Sequence, residues 1–391
     1  MPISHLSRAA QALLLFSCYA VAPGTGRAAT PAGETQLSAY LGTYNSELSR
    51  GVYRLDVTVD GDSLQGEVKL IAEADNPSFL ALAPGGRRLY AVGEVREFQG
   101  RPTGKVVALQ LGPAGEWSEL NAAPTAGGGP CYVSLDNRSK FLLIANYGAG
   151  TVASLPVQPN GKVGPAVSFH QHTGRSVIES RQSGPHAHCI VTDPSNRFAL
   201  AADLGTDKVY VYRFDEQTGE LAPHDPPSFS MPAGAGPRHL AFHPKGRLLL
   251  VINELSSTLA SLAWDPATGA LEQLDLQSTL PADYDGRNSC ADVHVHPSGR
   301  FVYGSNRGHD SIAVFAIDPA TGTLTPNGHT PARVRTPRNF GIVPSGEYLL
   351  ACGQDSDSVS VFRVNQQTGE LTPIGEPIKA PRPVCVRFIT E

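Results

Sequence analysis

From residue 77 onward the chain is built of short apolar runs separated by polar turns, each run too short for a helix and suited to a strand. Four stretches share one pattern: Pro185-His-Ala-His-Cys-Ile-Val-Thr-Asp-Pro194, Pro237-Arg-His-Leu-Ala-Phe-His-Pro244, Cys290-Ala-Asp-Val-His-Val-His-Pro297 and Pro337-Arg-Asn-Phe-Gly-Ile-Val-Pro344. Each is followed by a Gly or Asn, a charged residue and a second apolar run, such as Arg247-Leu-Leu-Leu-Val-Ile252 or Arg300-Phe-Val-Tyr303. Earlier copies begin at Pro77 and Pro130 and a truncated one at Pro383, so the units start at 77, 130, 185, 237, 290, 337 and 383.

A third run alternates, as in Lys208-Val-Tyr-Val-Tyr-Arg213 and Ser311-Ile-Ala-Val-Phe-Ala-Ile317. A fourth follows a repeated turn: Gln217-Thr-Gly-Glu-Leu221, Ala267-Thr-Gly-Ala-Leu271, Ala320-Thr-Gly-Thr-Leu324 and Gln367-Thr-Gly-Glu-Leu371. The glycine there predicts a left-handed turn residue. Four strands per unit of about 50 residues is the blade of a β-propeller. Six units are complete, and the seventh has only Pro383-Val-Cys-Val-Arg-Phe388. Its second and third strands match Ala39-Tyr-Leu-Gly-Thr43 and Gly51-Val-Tyr-Arg-Leu-Asp56 at the other end. The expected fold is therefore an all-β, seven-bladed propeller over residues 33–391, closed by pairing the two ends of the chain so that no sheet edge is left open. Trp264-Asp265 lacks the rest of a WD-repeat signature and reads as an ordinary strand end.

Composition narrows the function. Lys and Arg total 31 against 36 Asp and Glu, so there is no basic surplus to attract nucleic acid or an anionic membrane. Residues 1–28 read as a signal peptide, with His5 and Arg8 before an apolar run from Ala12 to Ala22 and small residues Gly26 and Ala28 before the cut. That run is too short to span a bilayer, so the expectation is an exported protein without a membrane span. A lipoprotein reading rests on Leu15-Phe16-Ser17-Cys18, where Phe16 is bulky for a lipobox. Beyond Cys18 the cysteines are Cys131, Cys189, Cys290, Cys352 and Cys385, odd in number and without CxxC spacing, which predicts buried free thiols.

The chain has no G-x-S-x-G, H-E-x-x-H or P-loop motif. Candidate chemistry comes from positions that repeat in place but vary in kind. Six residues before the turn proline, or its equivalent, stand Ser78, Cys131, His188, Arg238, Ala291 and Arg338. Ten residues after it stand Glu94, Tyr147, Leu204, Glu254, Arg307 and Gln354. In an antiparallel blade both ranks fall on one face, around the mouth of the central channel. The densest part, in blades three to six, is His186, His188, Arg238, Glu254, Arg307 and Arg338. The polar insertion Thr173 to Gly184 is expected to form a lip over it. His239, His243, His294 and His296 lie inside first strands or their turns and read as structural. His170-Gln-His172 and His186-Ala-His188 pair imidazoles, but no local carboxylate or thiol completes a metal site, so no metal is expected.

The segments Gln182-Ser-Gly-Pro-His-Ala-His188, Gly236-Pro-Arg-His239, Asn253-Glu254, Ala291-Asp-Val-His-Val-His-Pro-Ser-Gly-Arg300 and Ser305-Asn-Arg-Gly308 resemble those of the propeller-type lactonases. That group includes bacterial 6-phosphogluconolactonases and fungal 3-carboxy-cis,cis-muconate lactonising enzymes. The resemblance implies a catalytic set of His188, Arg238, Arg307 and Glu254, and the rim positions beside them supply His186, Arg338, Asn306 and Gln354 as substrate-binding candidates. It implies hydrolysis of a small, anionic sugar or organic-acid lactone without a cofactor. Either Glu254 or His188 could then activate water, while arginines hold the developing oxyanion or an anionic group. A muconate-type cycloisomerase and a non-catalytic binding propeller are the alternatives, because fold alone does not choose among them.

Overall fold

The computed structural model describes residues 34–389; the leader, and with it the cleavage and lipobox readings, lies outside them. The 28 strands form seven four-stranded antiparallel sheets, each in sequence order apart from the closing one. Blade four shows the plan: Pro237–Phe242, then Leu248–Asn253, Thr258–Asp265 and Ala270–Ser278. First strands of adjacent blades touch one another all the way round, so they form the wall of the channel. The closing blade runs Pro383–Phe388, Glu34–Thr43, Gly51–Asp60, Ser63–Glu73, with Ala39 opposite Phe388 and Leu41 opposite Val386. Closure by the two ends is as expected. The fourth strand, Ser63–Glu73, left little sequence signal because it is the outer edge and hardly alternates in burial.

Second strands such as Leu248-Leu-Leu-Val-Ile252 carry unbroken apolar runs because a blade packs against a neighbour on each face, and these residues are buried. Each contributes about 1.5–3 kcal/mol on burial. The repeated turn glycines Gly219, Gly269, Gly322 and Gly369 have φ of 77°, 81°, 74° and 77°, the left-handed conformation anticipated. They also sit against the preceding blade: a Cβ on Gly219 would lie 2.4 Å from the Phe141 ring, and one on Gly269 2.6 Å from Phe198. Blades are laced further by His243 and His296, whose Nε2 atoms lie 2.9 and 3.0 Å from the carbonyls of Gly299 and Gly346 in the next turn. The five cysteines are free and buried. Trp264 is buried in the third strand of blade four, which ends at Asp265. The helix Glu179–Gln182 is a single turn, and no helix among the described residues is long and apolar enough to cross a membrane.

One irregularity positions everything that follows. At the start of a first strand the ladder slips by a residue: Pro237 faces Asn253, but His239 faces Ile252, leaving Arg238 unpaired. The same slip leaves out Cys131, His188 and Arg338, and in the closing blade Val384. A β-bulge of this kind re-aims the extra residue. Blade three reaches it from Ala187 rather than from the Pro185 that opens the sequence repeat. The closing strand supports a firm expectation. Truncation before Pro383 should expose both neighbouring edges and lower Tm by on the order of 10 °C or more, measured by thermal unfolding. An unchanged Tm would mean that end pairing does not hold the ring.

Candidate active site

The bulged residues and their partners at the ends of second strands converge on one end of the channel. A narrow pocket of about 10 Å³ there is lined by Tyr44, Ser78, Phe79, Glu94, Cys131, His188, Arg238, His239, Arg338 and Val384. A wider cavity, about 530 Å³ and open to solvent, lies farther along the first strands between Leu80–Pro84, Tyr132–Leu135 and Arg387–Phe388. It collects a single cation and little else that could do chemistry, so the smaller, charged pocket is the candidate site.

Glu254 anchors that site. Its Oε1 accepts a 2.6 Å bond from Arg181, and its Oε2 lies 2.8 Å from Arg307 and 3.0 Å from Arg238. The Arg238 contact is ionic without hydrogen-bond direction, since that Nε finds no aligned acceptor. Burial would raise the Glu254 pKa, but Arg307, Arg238 and Arg181 outweigh it and hold the group at about 2. Arg307 is lowered to about 10 by burial and by Arg238 and Arg338, against the pull of Glu254, and stays charged at neutral pH. It also donates to the carbonyls of Ser289 and Cys290. With both oxygens committed, Glu254 is a fixed counter-ion for three cations.

His188 is buried, with Nδ1 3.6 Å from Cys131 Sγ and its ring edge-on to Tyr147 and His239. Burial, then Arg238, His239 and Arg338, push it well below the ordinary imidazole value, so it is neutral at pH 7. Burial likewise raises the Cys131 thiol, which stays protonated. Nε2 of His188 has no hydrogen-bond partner among the described residues.

Arg238 is set by a relay through four blades. Its Nη1 donates to the Ala291 carbonyl and, at 3.3 Å, to His239 Nε2. His239 Nδ1 then donates to Asp292 Oδ1 at 2.6 Å. Asp292 Oδ2 accepts from His294 Nε2 at 3.0 Å and from Asn339, whose Oδ1 accepts the Val386 amide at 2.7 Å. Burial and Arg238 lower His239 to about 4, consistent with a neutral ring that donates on one side and accepts on the other. The ring packs edge-on against Phe79 and Tyr132 from across the channel. His239 therefore does more than fill its strand.

The other expected residues divide. Arg338 lines the pocket, donates to the Tyr44 hydroxyl at 3.0 Å and lies over its ring. His186 stacks on Tyr147 with Nδ1 3.0 Å from the Tyr147 carbonyl, at the edge of the site. Asn306 is fully buried in the scaffold: it donates to Thr279 and Ser311 and accepts from Thr279 and Asn288, so nothing remains for a ligand. Gln354 holds the rank of Glu254 in blade six, but bonds to Asp355 and does not line the pocket. His172 spends both ring nitrogens on Asp203 and Tyr212.

Four participants lie outside the arc that the sequence singled out, and two of them, Arg181 and Tyr44, were not among its candidates. Arg181 sits in the Thr173–Gly184 insertion, which has no counterpart in the repeat; it reaches Glu254 and, at 3.3 Å, the Tyr147 hydroxyl. Through it, the insertion does reach over the site. Ser78 and Glu94 occupy the expected ranks in blade one, outside the dense arc. Tyr44 holds the Glu254 rank in the closing blade, where no turn proline marks the count.

The pH dependence of stability follows from the two neutral imidazoles. His188 and His239 titrate near 6.5 when unfolded, so below that pH the unfolded chain binds more protons than the folded one. Stability should fall as pH drops from about 6.5 toward 4, and Glu254 should extend the loss from about 4.3 toward 2. Denaturant unfolding from pH 8 to 4 measures the slope, and His239→Gln should flatten it. An equal slope in that variant would contradict the assignment of a neutral His239.

Residues 38–388 match the family described as "Lactonase, 7-bladed beta-propeller". The 6-phosphogluconolactonase of Bacillus subtilis is 35% identical over 91% of this chain and 99% of its own length. The 6-phosphogluconolactonase of Formosa agariphila is 32% identical over 72% of this chain and 80% of its own. Among solved structures, the periplasmic gluconolactonase of Pseudomonas aeruginosa superposes with a TM-score of 0.81 at 31% identity, covering 91% of this chain and 99% of that one. The chain belongs to the seven-bladed β-propeller lactonases.

Proposed function

We propose that the rim pocket hydrolyses a small sugar or organic-acid lactone, with an anionic substrate fitting best. One observation carries the anionic preference: four guanidiniums (Arg181, Arg238, Arg307 and Arg338) gather around three carboxylates, Glu254, Glu94 and Asp292. The surplus positive charge is held by burial and is available to a phosphate, a carboxylate or the oxyanion of a tetrahedral intermediate.

The chemistry then divides among the residues. Water attacks the lactone carbonyl carbon and gives one proton to His188 Nε2. Arg238, held by Glu254, Ala291 and His239, stabilises the oxyanion. Collapse breaks the ring C–O bond, and the imidazolium returns its proton to the leaving alkoxide, giving a hydroxy acid. An anionic substrate also offsets the two arginines that depress His188, which raises the basicity of the imidazole once the substrate is bound. Glu254 serves as counter-ion rather than base, because a carboxylate held at about 2 has little affinity for a water proton.

Export is part of this proposal. It rests on the leader-like residues 1–28, and a periplasmic aldonolactone suits such a location better than a sugar phosphate, which is cytosolic.

The test is hydrolysis of 6-phosphogluconolactone, D-glucono-δ-lactone and galactonolactone by the mature protein, corrected for spontaneous opening. His188→Gln should lower kcat by about 10²–10⁴-fold at unchanged Tm. Glu254→Gln should lose activity together with about 3–5 kcal/mol of stability, because three buried cations lose their counter-charge. Folded wild-type protein that opens none of these lactones would shift the reading to the cycloisomerase or the binding propeller.

A further inference from the structure

Glu94 balances part of the arginine charge but takes no step in the hydrolysis. Glu94 Oε2 accepts the Ser78 hydroxyl at 2.5 Å and the Tyr44 hydroxyl at 2.9 Å. Tyr44 is half-buried and, with desolvation the largest cause, its phenol is pushed up to about 12, so it stays protonated and is the donor. The Tyr44 oxygen in turn accepts from Arg338 at 3.0 Å. The protons of Ser78 and Tyr44 are thus both spent on one oxygen of Glu94. The other, Oε1, has no partner among the described residues, although Glu94 lines the pocket beside His188, Arg238 and Arg338.

An ionised carboxylate only accepts hydrogen bonds. Whatever meets Oε1 must bring O–H or N–H donors, and a second carboxylate or phosphate is repelled there. The arginines that line the same pocket, Arg238 and Arg338, ask for the reverse: negative charge and no donors. The pocket is therefore bipolar, and its complement is a ligand with an electron-rich carbonyl or anionic end and a hydroxyl-bearing end.

We propose that Glu94, oriented by Tyr44 and Ser78, is the specificity-determining residue that selects polyhydroxylated lactones by accepting hydrogen bonds from ring hydroxyls. This rests on the lactonase reading and narrows it to sugar lactones. It also weighs against di- and tricarboxylate lactones of the muconate type, whose outer carboxylates would face Glu94.

The test compares D-glucono-δ-lactone with δ-valerolactone, which has the same six-membered ring and no hydroxyls. For Glu94→Ala the ratio of kcat/KM for the two should fall about 30-fold toward the unsubstituted ring, through a higher KM for gluconolactone; this is the scale of one or two hydrogen bonds to a charged group. Glu94→Gln, which keeps an acceptor but not the charge, should recover part of it. Equal losses on both lactones with kcat reduced would overturn the proposal and make Glu94 part of the proton transfer. No change in the ratio would overturn it in favour of a purely structural carboxylate. If the wild type opens neither lactone, the lactonase reading fails by itself, and calorimetry with the open acids decides about Glu94. Glu94→Ala should then weaken D-gluconate at least tenfold more than 5-hydroxypentanoate, and equal weakening would reject the selector role.

Discussion

The site depends on one extra residue at the start of the channel-lining strands. A regular strand sends consecutive side chains to opposite faces, so only alternate residues of a first strand would reach the channel. The slip between Pro237 and His239 breaks that alternation, and both Arg238 and His239 reach the pocket. Repeated around the ring, the bulge supplies two stacked layers of side chains. The outer layer contains Cys131, His188, Arg238 and Arg338. The inner contains Phe79, Tyr132, His239, Asp292 and Asn339, which plug the channel with rings and with the relay that fixes Arg238.

Such a concentration of buried charge is costly unless each group is paired. Glu254 meets that cost for Arg181, Arg238 and Arg307, and Asp292 does the same for the imidazoles beneath. Both carboxylates are consequently too well solvated by protein to act as bases. The group left to take a proton is His188, which is neutral because it is buried and because the cations around it are not fully cancelled. The uncancelled cations attract an anion and, together with burial, leave an unprotonated imidazole beside it.

The architecture was legible in the sequence because a propeller repeats its physical requirements. The turn glycines, unbroken second-strand runs and truncated seventh unit each report packing that every blade shares. The arc from His188 to Arg338 was legible for a related reason: scaffold positions that vary among Cys, His and Arg stand out against a constant frame. The misses fall where that frame gives no reference. Arg181 lies in an insertion, Tyr44 in a blade split between the chain ends, and Ser63–Glu73 on a solvent-facing edge with little burial pattern. Asn306 was misread because a polar residue beside Arg307 resembles a ligand contact, whereas its amide holds blade five to its own outer connection at Thr279. Residue type did not reveal that Glu254 is saturated by cations; that required the converging positions of three side chains from distant parts of the chain.

The central claim is that a lactone-derived acid occupies the rim pocket between His188, Arg238 and Arg338. The most direct measurement is a crystal structure of the mature protein grown with saturating D-gluconate, the hydroxy acid formed when D-glucono-δ-lactone opens. The account predicts the acid in that pocket, with an anionic group on Arg238 or Arg338 and a carboxyl or hydroxyl oxygen within hydrogen-bond reach of His188 Nε2. An acid bound instead in the cavity beside Arg387, or an empty rim pocket at saturation, would contradict it.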